Sequence, residues 1–340
     1  MSVNVCLSHK EDVDGISSAA LIKTAFRAKY IILVDYANII SNLEELASMS
    51  SARKKKIHRI FICDLGLSKK NEQKFKDIVG KIISHGPEVT YIDHHDLSSE
   101  TAISLMNIGV KLIHTVEECT SVQIYNNFKS KLEPHSAFVA AAAALTDYME
   151  SKPLASSIVS RFDKQFLMLE ATALSYMISA SQRDNKFLIK VVNTLAKMKY
   201  PHEIKGGFSM AEKYVKKVSE AVKSIEKSIV KIDNLAYVHS ALDLSASMIV
   251  NFVLGTSEKP VAMVFKLKNN IHSYVISIRA SQDCKFHVGR LVNVIASDLG
   301  GSGGGHDKAC GAVIPEDKLE QFIQSLNRRL ESDNENKQGK

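Results

Sequence analysis

The 340-residue chain has no tryptophan, no CxxC pair and no apolar run near the roughly 18–20 residues that cross a bilayer. The missing tryptophan decides nothing. Five cysteines, Cys6, Cys63, Cys119, Cys284 and Cys310, are odd in number and widely spaced. They exclude a disulfide scaffold and a cysteine zinc site, and read as reduced thiols in a cytoplasmic protein. The start, MSVNVCLSHKEDVDG, meets charge within ten residues, so neither a signal peptide nor a membrane span is expected. No internal repeat is visible. Extremes of composition are lacking too: 45% hydrophobic and 24% charged residues describe a soluble globular protein, neither disordered nor fibrous.

What is there begins with a mild basic excess, 44 Lys plus Arg against 37 Asp plus Glu, a formal +7. Such a balance hints at an anionic partner. It is also local: residues 1–150 hold 17 basic and 18 acidic side chains, 151–200 hold 8 and 3, and 251–300 hold 6 and 3.

Over the first half, short β-branched runs (Val3–Leu7, Tyr30–Val34, Arg59–Cys63, Val89–Ile92, Val110–Ile113) alternate with helical patterns (Ile16–Ala28, Asn42–Met49, Lys69–Ser84, Thr120–Lys131). The alternation predicts βαβ units and a mostly parallel sheet flanked by helices. A helix over His135–Tyr148 contains the run Ala140–Ala144, suited to close packing, and 151–200 reads as all-helical. Lys205-Gly206-Gly207 marks a linker and Ser209–Val230 a connecting helix. Strands at Leu235–His239, Pro260–Lys266, Ser273–Arg279 and Ala312–Ile314 then mix with helices at Cys284–Asp298 and Leu319–Leu330. The expected order is a first α/β domain over 1–200, linker and helix over 201–232, a smaller α/β domain over 233–330 and a frayed tail over 331–340. Arg53–Lys56 reads as a solvated basic loop, and Phe208, Tyr214, Tyr237 and Tyr274 as core aromatics.

In an open parallel sheet, ligands bind beyond the carboxyl ends of the strands. Past Val3–Leu7 come His9, Asp12 and Asp14; past Arg59–Cys63 comes Asp64; past Val89–Ile92 come Asp93, His94 and His95, and Asp147 ends the alanine helix. A lone acid there serves as well to cap a helix, as Asp14 would, or to turn the chain, as Asp64 would before Gly66. The joint pattern is a hard, oxygen-rich set with some nitrogen, suited to Mn²⁺ or Mg²⁺ rather than structural zinc. Four carboxylates balance two divalent cations. A two-metal site activates water and steadies a phosphoryl transition state, so hydrolysis of a phosphate ester or anhydride is the expected reaction class. In the second domain, the glycines of Gly300–Gly305 let backbone N–H groups approach an anion, with His306 and Arg279 as directional donors; a flexible linker is the plainer alternative.

These residues carry a resemblance. His9-Lys10-Glu11-Asp12-Val13-Asp14-Gly15, Phe61-Ile62-Cys63-Asp64, Tyr91-Ile92-Asp93-His94-His95 and Leu145-Thr146-Asp147 resemble, in order and spacing, the four signature motifs of the DHH phosphoesterase superfamily. That superfamily includes RecJ-type nucleases, nanoRNases, cyclic-dinucleotide phosphodiesterases and some pyrophosphatases. Ser302–Gly311 resembles the GGGH segment of the DHH-associated C-terminal domain, and Val275–Arg279 the strand before it. Two residues separate His9 from Asp12, where RecJ types usually have one and nanoRNases three, so the subfamily stays open.

The resemblance implies that 1–200 is the catalytic DHH domain and 233–330 a substrate-binding domain across a cleft. His9 and Asp12 would hold one Mn²⁺ or Mg²⁺ ion, Asp14, His94 and Asp147 a second, and Asp64 would bridge. Asp93 and His95 would orient ligands or touch substrate. Arg279, His306 and the glycines Gly303, Gly304 and Gly305 would hold substrate phosphate and sugar. The expected activity is removal of mononucleotides from short or single-stranded RNA or DNA, because no room remains after Ile314 for the OB-type module of long-strand nucleases. The alternatives are a small-molecule phosphohydrolase acting on 3′-phosphoadenosine 5′-phosphate, a cyclic dinucleotide or pyrophosphate, and a non-catalytic replication or repair scaffold. A homodimer is the base-rate expectation.

Overall fold

The computed structural model describes residues 2–51, 56–181, 184–240, 244 and 246–331. The chain divides into two compact units, residues 1–215 and 216–340. The first opens with β1 (Val3–His9), α1 (Val13–Phe26), β2 (Tyr30–Val34), α2 (Ile39–Ser51), β3 (Ile57–Cys63), α3 (Lys69–Ser84), β4 (Glu88–Asp93), α4 (Ser99–Asn107) and β5 (Lys111–His114). The five strands form one sheet in the order β2-β1-β3-β4-β5, every neighbouring pair parallel.

Strand alternation sorts the core into two layers. Val5, Leu7, Ile60, Ile62, Val89 and Tyr91 face one side and pack with Leu43 and Leu46 of α2 and Phe75 and Val79 of α3. Cys6, Phe61, Cys63 and Ile92 face the other, against α1, α5 (Thr120–Phe128), α6 (Ser136–Thr146), α7 (Pro153–Val159), α8 (Lys164–Ala180) and α9 (Asn185–Leu195). Each fully buried Leu, Ile or Phe contributes about 1.5–3 kcal/mol. Ala140–Ala144 are all buried, and α6 packs directly on α1 and α8, the close approach that methyl side chains permit.

The boundary between the units falls inside α10 (Gly207–Glu226). The second unit contains β6 (Val230–Lys231), β7 (Leu235–His239), α11 (Ala246–Ser257), β8 (Val261–Lys268), β9 (Ser273–Ala280), α12 (Val288–Asp298), β10 (Ser302–Gly305), β11 (Ala309–Pro315) and α13 (Leu319–Glu331). Its sheet runs β10-β11-β9-β8-β7-β6, antiparallel except for the parallel β7–β8 pair.

Several details depart from expectation. Helices α4 and α11 were not foreseen; the first is nine residues long, and the pattern of the second is apolar on most sides. Gly207 starts a helix instead of ending a linker, and the helix expected from Cys284 starts at Val288. Ser302–Gly305, for which a flexible linker was the alternative, is an edge strand hydrogen-bonded to β11. Phe208 is exposed, while Tyr214 is buried and Tyr237 and Tyr274 pack against the second core. Arg53–Lys55 and the tail 332–340 lie outside the described residues.

Candidate metal and phosphate site

The three inner strands β1, β3 and β4 deliver their carboxyl ends side by side, and with them His9, Asp64 and Asp93. Asp12 is the N-cap of α1: its Oδ1 accepts from the Gly15 N–H at 2.9 Å. The capping role offered for Asp14 therefore belongs to Asp12. Gly15 has to be glycine, because a Cβ there would lie 2.4 Å from the His9 carbonyl oxygen. Asp14 is buried instead at the start of α5, where its two carboxylate oxygens accept from the Thr120 and Ser121 N–H groups at 2.8 Å each. That pairing places an anion at a helix N-terminus.

Asp64 adopts a left-handed backbone, φ 56°, a region Asp tolerates better than most residues. It does not turn the chain at the surface; its side chain is 1% exposed. Oδ2 lies 3.6 Å from His9 Nδ1, and Oδ1 lies 3.4 Å from His94 Nε2 and accepts from the Thr120 hydroxyl at 3.3 Å. One carboxylate thus faces two imidazoles on opposite oxygens. On the first side His9 Nδ1 is 2.9 Å from Asp12 Oδ2. On the second, His94 Nε2 is 4.0 Å from Asp14 Oδ2 and its Nδ1 is 3.6 Å from Asp147 Oδ2.

Donor atoms of His9, Asp12 and Asp64 lie within 4.8 Å of one another; so do those of Asp64, His94 and His95, and those of Asp14, Cys119 and Asp147. Both His9 ring nitrogens, Asp64 Oδ2 and Asp147 Oδ2 are buried without an aligned hydrogen-bond partner among the described residues. Buried polar atoms are normally satisfied. His9 Nδ1, Asp64 Oδ2 and Asp147 Oδ2 lie in the acidic clusters, and divalent cations would satisfy them, so the donor set fits metal; His9 Nε2 lies 3.8 Å from Glu11 Oε2 instead. Burial pushes the Cys119 thiol up; the remaining donors are oxygens and imidazoles, the set that hard cations such as Mn²⁺ and Mg²⁺ prefer.

The electrostatics agree. Burial opposes charge on His9 and His94, but Asp12 and Asp64 beside the first, and Asp64, Asp14 and Asp147 beside the second, raise each to about 10. Burial, followed by the charges of Asp64 and Asp147, pushes Asp14 up. Burial likewise lifts Asp147 to about 6. Asp64 goes the other way: burial is overcome by its two imidazole partners. The acids crowd one another enough that protons on imidazole stand where cationic charge belongs.

Asp93 lies outside the three clusters, and His95, a member of one of them, is tied to it. Asp93 Oδ2 accepts from the Tyr91 hydroxyl at 3.3 Å and the His95 N–H at 3.1 Å, and Oδ1 pairs with His95 Nδ1 at 3.0 Å. The other His95 nitrogen, Nε2, meets the Tyr36 hydroxyl at 3.0 Å. Tyr36 also lays its ring on His9, centroids 4.7 Å apart. Burial opposes charge on His95, but Asp93 prevails and raises its pKa. Sequence reasoning missed Tyr36, the Thr120 and Ser121 N–H donors and Tyr91. The signal for Tyr36 was its place two residues past the end of β2, the same strand-exit position that marked the acids.

In the second unit the expected residues share one end of the sheet. Arg279 on β9 pairs in register with Ala309 on β11, and Gly305 of β10 pairs with Cys310. The His306 N–H donates to the Ala309 carbonyl at 2.8 Å, closing the hairpin. Gly305 has φ +139°, and a Cβ there would lie 2.7 Å from the Ala309 oxygen. Gly303 is held by Asn293 Nδ2, which donates to its carbonyl at 2.7 Å, and Gly304 lies between them opposite Gly311.

Among known proteins, residues 235–332 match the DHHA1 domain family. An uncharacterised protein of Methanocaldococcus jannaschii is 26% identical over 199 residues, 53% of this chain and 42% of that protein's own length. Three solved structures share the fold. The DHH domain of a member of the s1p family of ribosomal proteins superimposes with TM-score 0.70 at 14% identity, over 97% of this chain and 86% of that one. The pGpG-specific phosphodiesterase PggH of Vibrio cholerae gives 0.60 at 12% identity, over 98% and 100%. RecJ of Thermus thermophilus, solved with Mn²⁺, gives 0.61 at 10% identity, over 96% and 52%. The chain therefore shares the fold of these three proteins, and residues 235–332, in its second unit, match the DHHA1 domain.

Proposed function

We propose that the chain is a divalent-metal phosphodiesterase that hydrolyses short oligonucleotides to mononucleotides, with His9, Asp12 and Asp64 holding one Mn²⁺ or Mg²⁺ and Asp64, Asp14, His94 and Asp147 the other. The observation that carries this reading is Asp64, buried, with one oxygen toward each imidazole. Bound ions would lower the pKa of a water and neutralise charge developing on the phosphate. The chain's own residues do the rest. The Thr120 and Ser121 N–H groups fix Asp14. Asp93 fixes His95 at Nδ1, so that a proton held at Nε2, where Tyr36 now binds, is positioned for a phosphate oxygen or leaving group. Arg279, His306 and the backbone of Gly303–Gly305 take the terminal phosphate and sugar.

Short substrates are favoured because PggH, a pGpG-specific phosphodiesterase, matches 98% of this chain and 100% of its own. The test is a Mn²⁺-supported rate panel: 5′-labelled dinucleotides and short oligonucleotides of RNA and DNA, a long single strand, 3′-phosphoadenosine 5′-phosphate, a cyclic dinucleotide and pyrophosphate. Dinucleotides and short strands are expected to turn over fastest. No cleavage of any phosphodiester, or pyrophosphate as the best substrate, overturns the proposal.

A further inference from the structure

Helix α6 ends in a Schellman motif: the Tyr148 N–H donates to the Leu145 carbonyl and the Met149 N–H to the Ala144 carbonyl, at 3.4 and 2.9 Å. The residue after the C-cap Asp147 is then left-handed, and glycine is the residue that occupies this place without strain. Here it is tyrosine, with φ 58°. Packing does not repay the strain, since Tyr148 is 83% exposed, the most exposed large hydrophobic side chain among the described residues. Its side chain makes no hydrogen bond, ion pair or ring contact among the described residues. It also follows directly on Asp147, whose Oδ2 is one of the unsatisfied atoms of the acidic cluster. Of the six described non-glycine residues with positive φ, one is Asp64 of the acidic cluster and another is Tyr148, the residue next in sequence to Asp147 of that cluster. Strain kept by a residue that gains nothing from the fold points to use outside it.

We propose that Tyr148 is the base-stacking residue of this site: its exposed ring receives a nucleobase of the substrate whose phosphate lies at the acidic cluster. This rests on the phosphodiesterase reading above and makes it more specific, because pyrophosphate and other base-free phosphates have nothing to offer the ring. A flat aromatic face accepts any base, so the contribution is to affinity for nucleotides as a class, with little selection among sequences.

The experiment compares wild type, Tyr148→Phe and Tyr148→Gly on a dinucleotide and on the same dinucleotide with one base replaced by an abasic tetrahydrofuran. KM is read with Mn²⁺, and binding is read by calorimetry on the same proteins with dinucleotides whose bridging oxygen is replaced by a non-hydrolysable methylene group. Tyr148→Gly is expected to raise KM and Kd for the base-bearing dinucleotide roughly tenfold or more, the loss of one stacked base. The abasic compound should be unaffected, Tyr148→Phe should stay near wild type, and the glycine variant should melt at an equal or higher temperature. That last result separates a substrate contact from a structural role, which glycine would impair. If turnover proceeds and Tyr148→Gly leaves KM unchanged, or weakens both compounds equally, stacking is wrong while the phosphodiesterase stands. If the dinucleotide is bound but not cleaved, and Tyr148→Gly weakens that binding, stacking stands while the hydrolysis falls. If wild type neither binds nor cleaves it, both are overturned.

Discussion

The two units assemble their candidate residues by different physical means. In the first, charge is buried: Asp14, Asp64 and Asp93 are each at most 2% exposed, and the arrangement depends on which side chains leave adjacent strand ends. In the second, the backbone supplies the geometry. A glycine edge strand, a four-residue hairpin closure and one arginine lie at an exposed end of a mixed sheet. Buried, mutually dependent charges fail together when one is removed, whereas an exposed contact fails alone. The same chain should therefore show large, cooperative losses in one unit and small, separable ones in the other.

The largest effect is expected at Asp64. Replacing it with alanine removes the carboxylate shared by both imidazole sides, and turnover should fall by at least about 10³-fold, several kcal/mol of lost stabilisation at the reacting phosphate. Calorimetric titration with Mn²⁺ should then show both sites weakened. Two sites of ordinary affinity in Asp64→Ala would break the bridging assignment and the cooperative side of the contrast. In wild type, saturating Mn²⁺ should raise the melting temperature and a chelator lower it, because a ligand that binds only the folded state stabilises it. A melting temperature indifferent to both would count against any metal at the cluster.

Next comes Arg279→Ala. A charge-assisted hydrogen bond to phosphate contributes about 1.5–3 kcal/mol, or roughly 10–100-fold in KM. Here kcat should stay within about threefold and the melting temperature nearly constant, since among the described residues the guanidinium bonds only from Nη1 to the neighbouring Ile278 carbonyl. A loss of kcat equal to that of Asp64→Ala would show that the second unit takes part in the chemistry, and an unchanged KM would remove Arg279 from the substrate contact.

This division also explains what could be read in advance. Parallel strands buried on both faces announce themselves as β-branched runs, so the sheet and the strand-exit acids were visible as spacing alone: Asp64 follows Cys63, and Asp93-His94-His95 follows Ile92. The Gly303–Gly305 conformation was hidden because glycine patterns do not distinguish a linker from a strand; pairing with β11 decides it. The cap alternative was attached to Asp14, while Asp12 holds the cap, for a similar reason. Which of two nearby acids caps a helix depends on whether another helix start, here Thr120 and Ser121, is folded against one of them. Tyr36 shows only a strand-exit position without a ligand side chain, and Tyr148 is marked only by the exposure of its ring.

The smallest effect sharpens the contrast from inside the first unit, where Tyr36 is a neutral neighbour of the buried charges. Its hydroxyl meets His95 Nε2 at 3.0 Å while its ring covers His9, so Tyr36→Phe deletes one hydrogen bond and keeps the packing. A single neutral bond contributes about 0.5–1.5 kcal/mol, so kcat should fall by roughly 2- to 12-fold. KM should hold, because Arg279 and not His95 is the proposed anchor for the terminal phosphate. Mn²⁺ affinity should also hold, since His95 already commits Nδ1 to Asp93. A Tyr36→Phe enzyme that loses Mn²⁺ binding would make His95 a metal ligand and extend the cooperative cluster outward. One that loses kcat alone confines that cluster to His9, Asp12, Asp14, Asp64, His94 and Asp147, and leaves His95 as the group that meets the substrate.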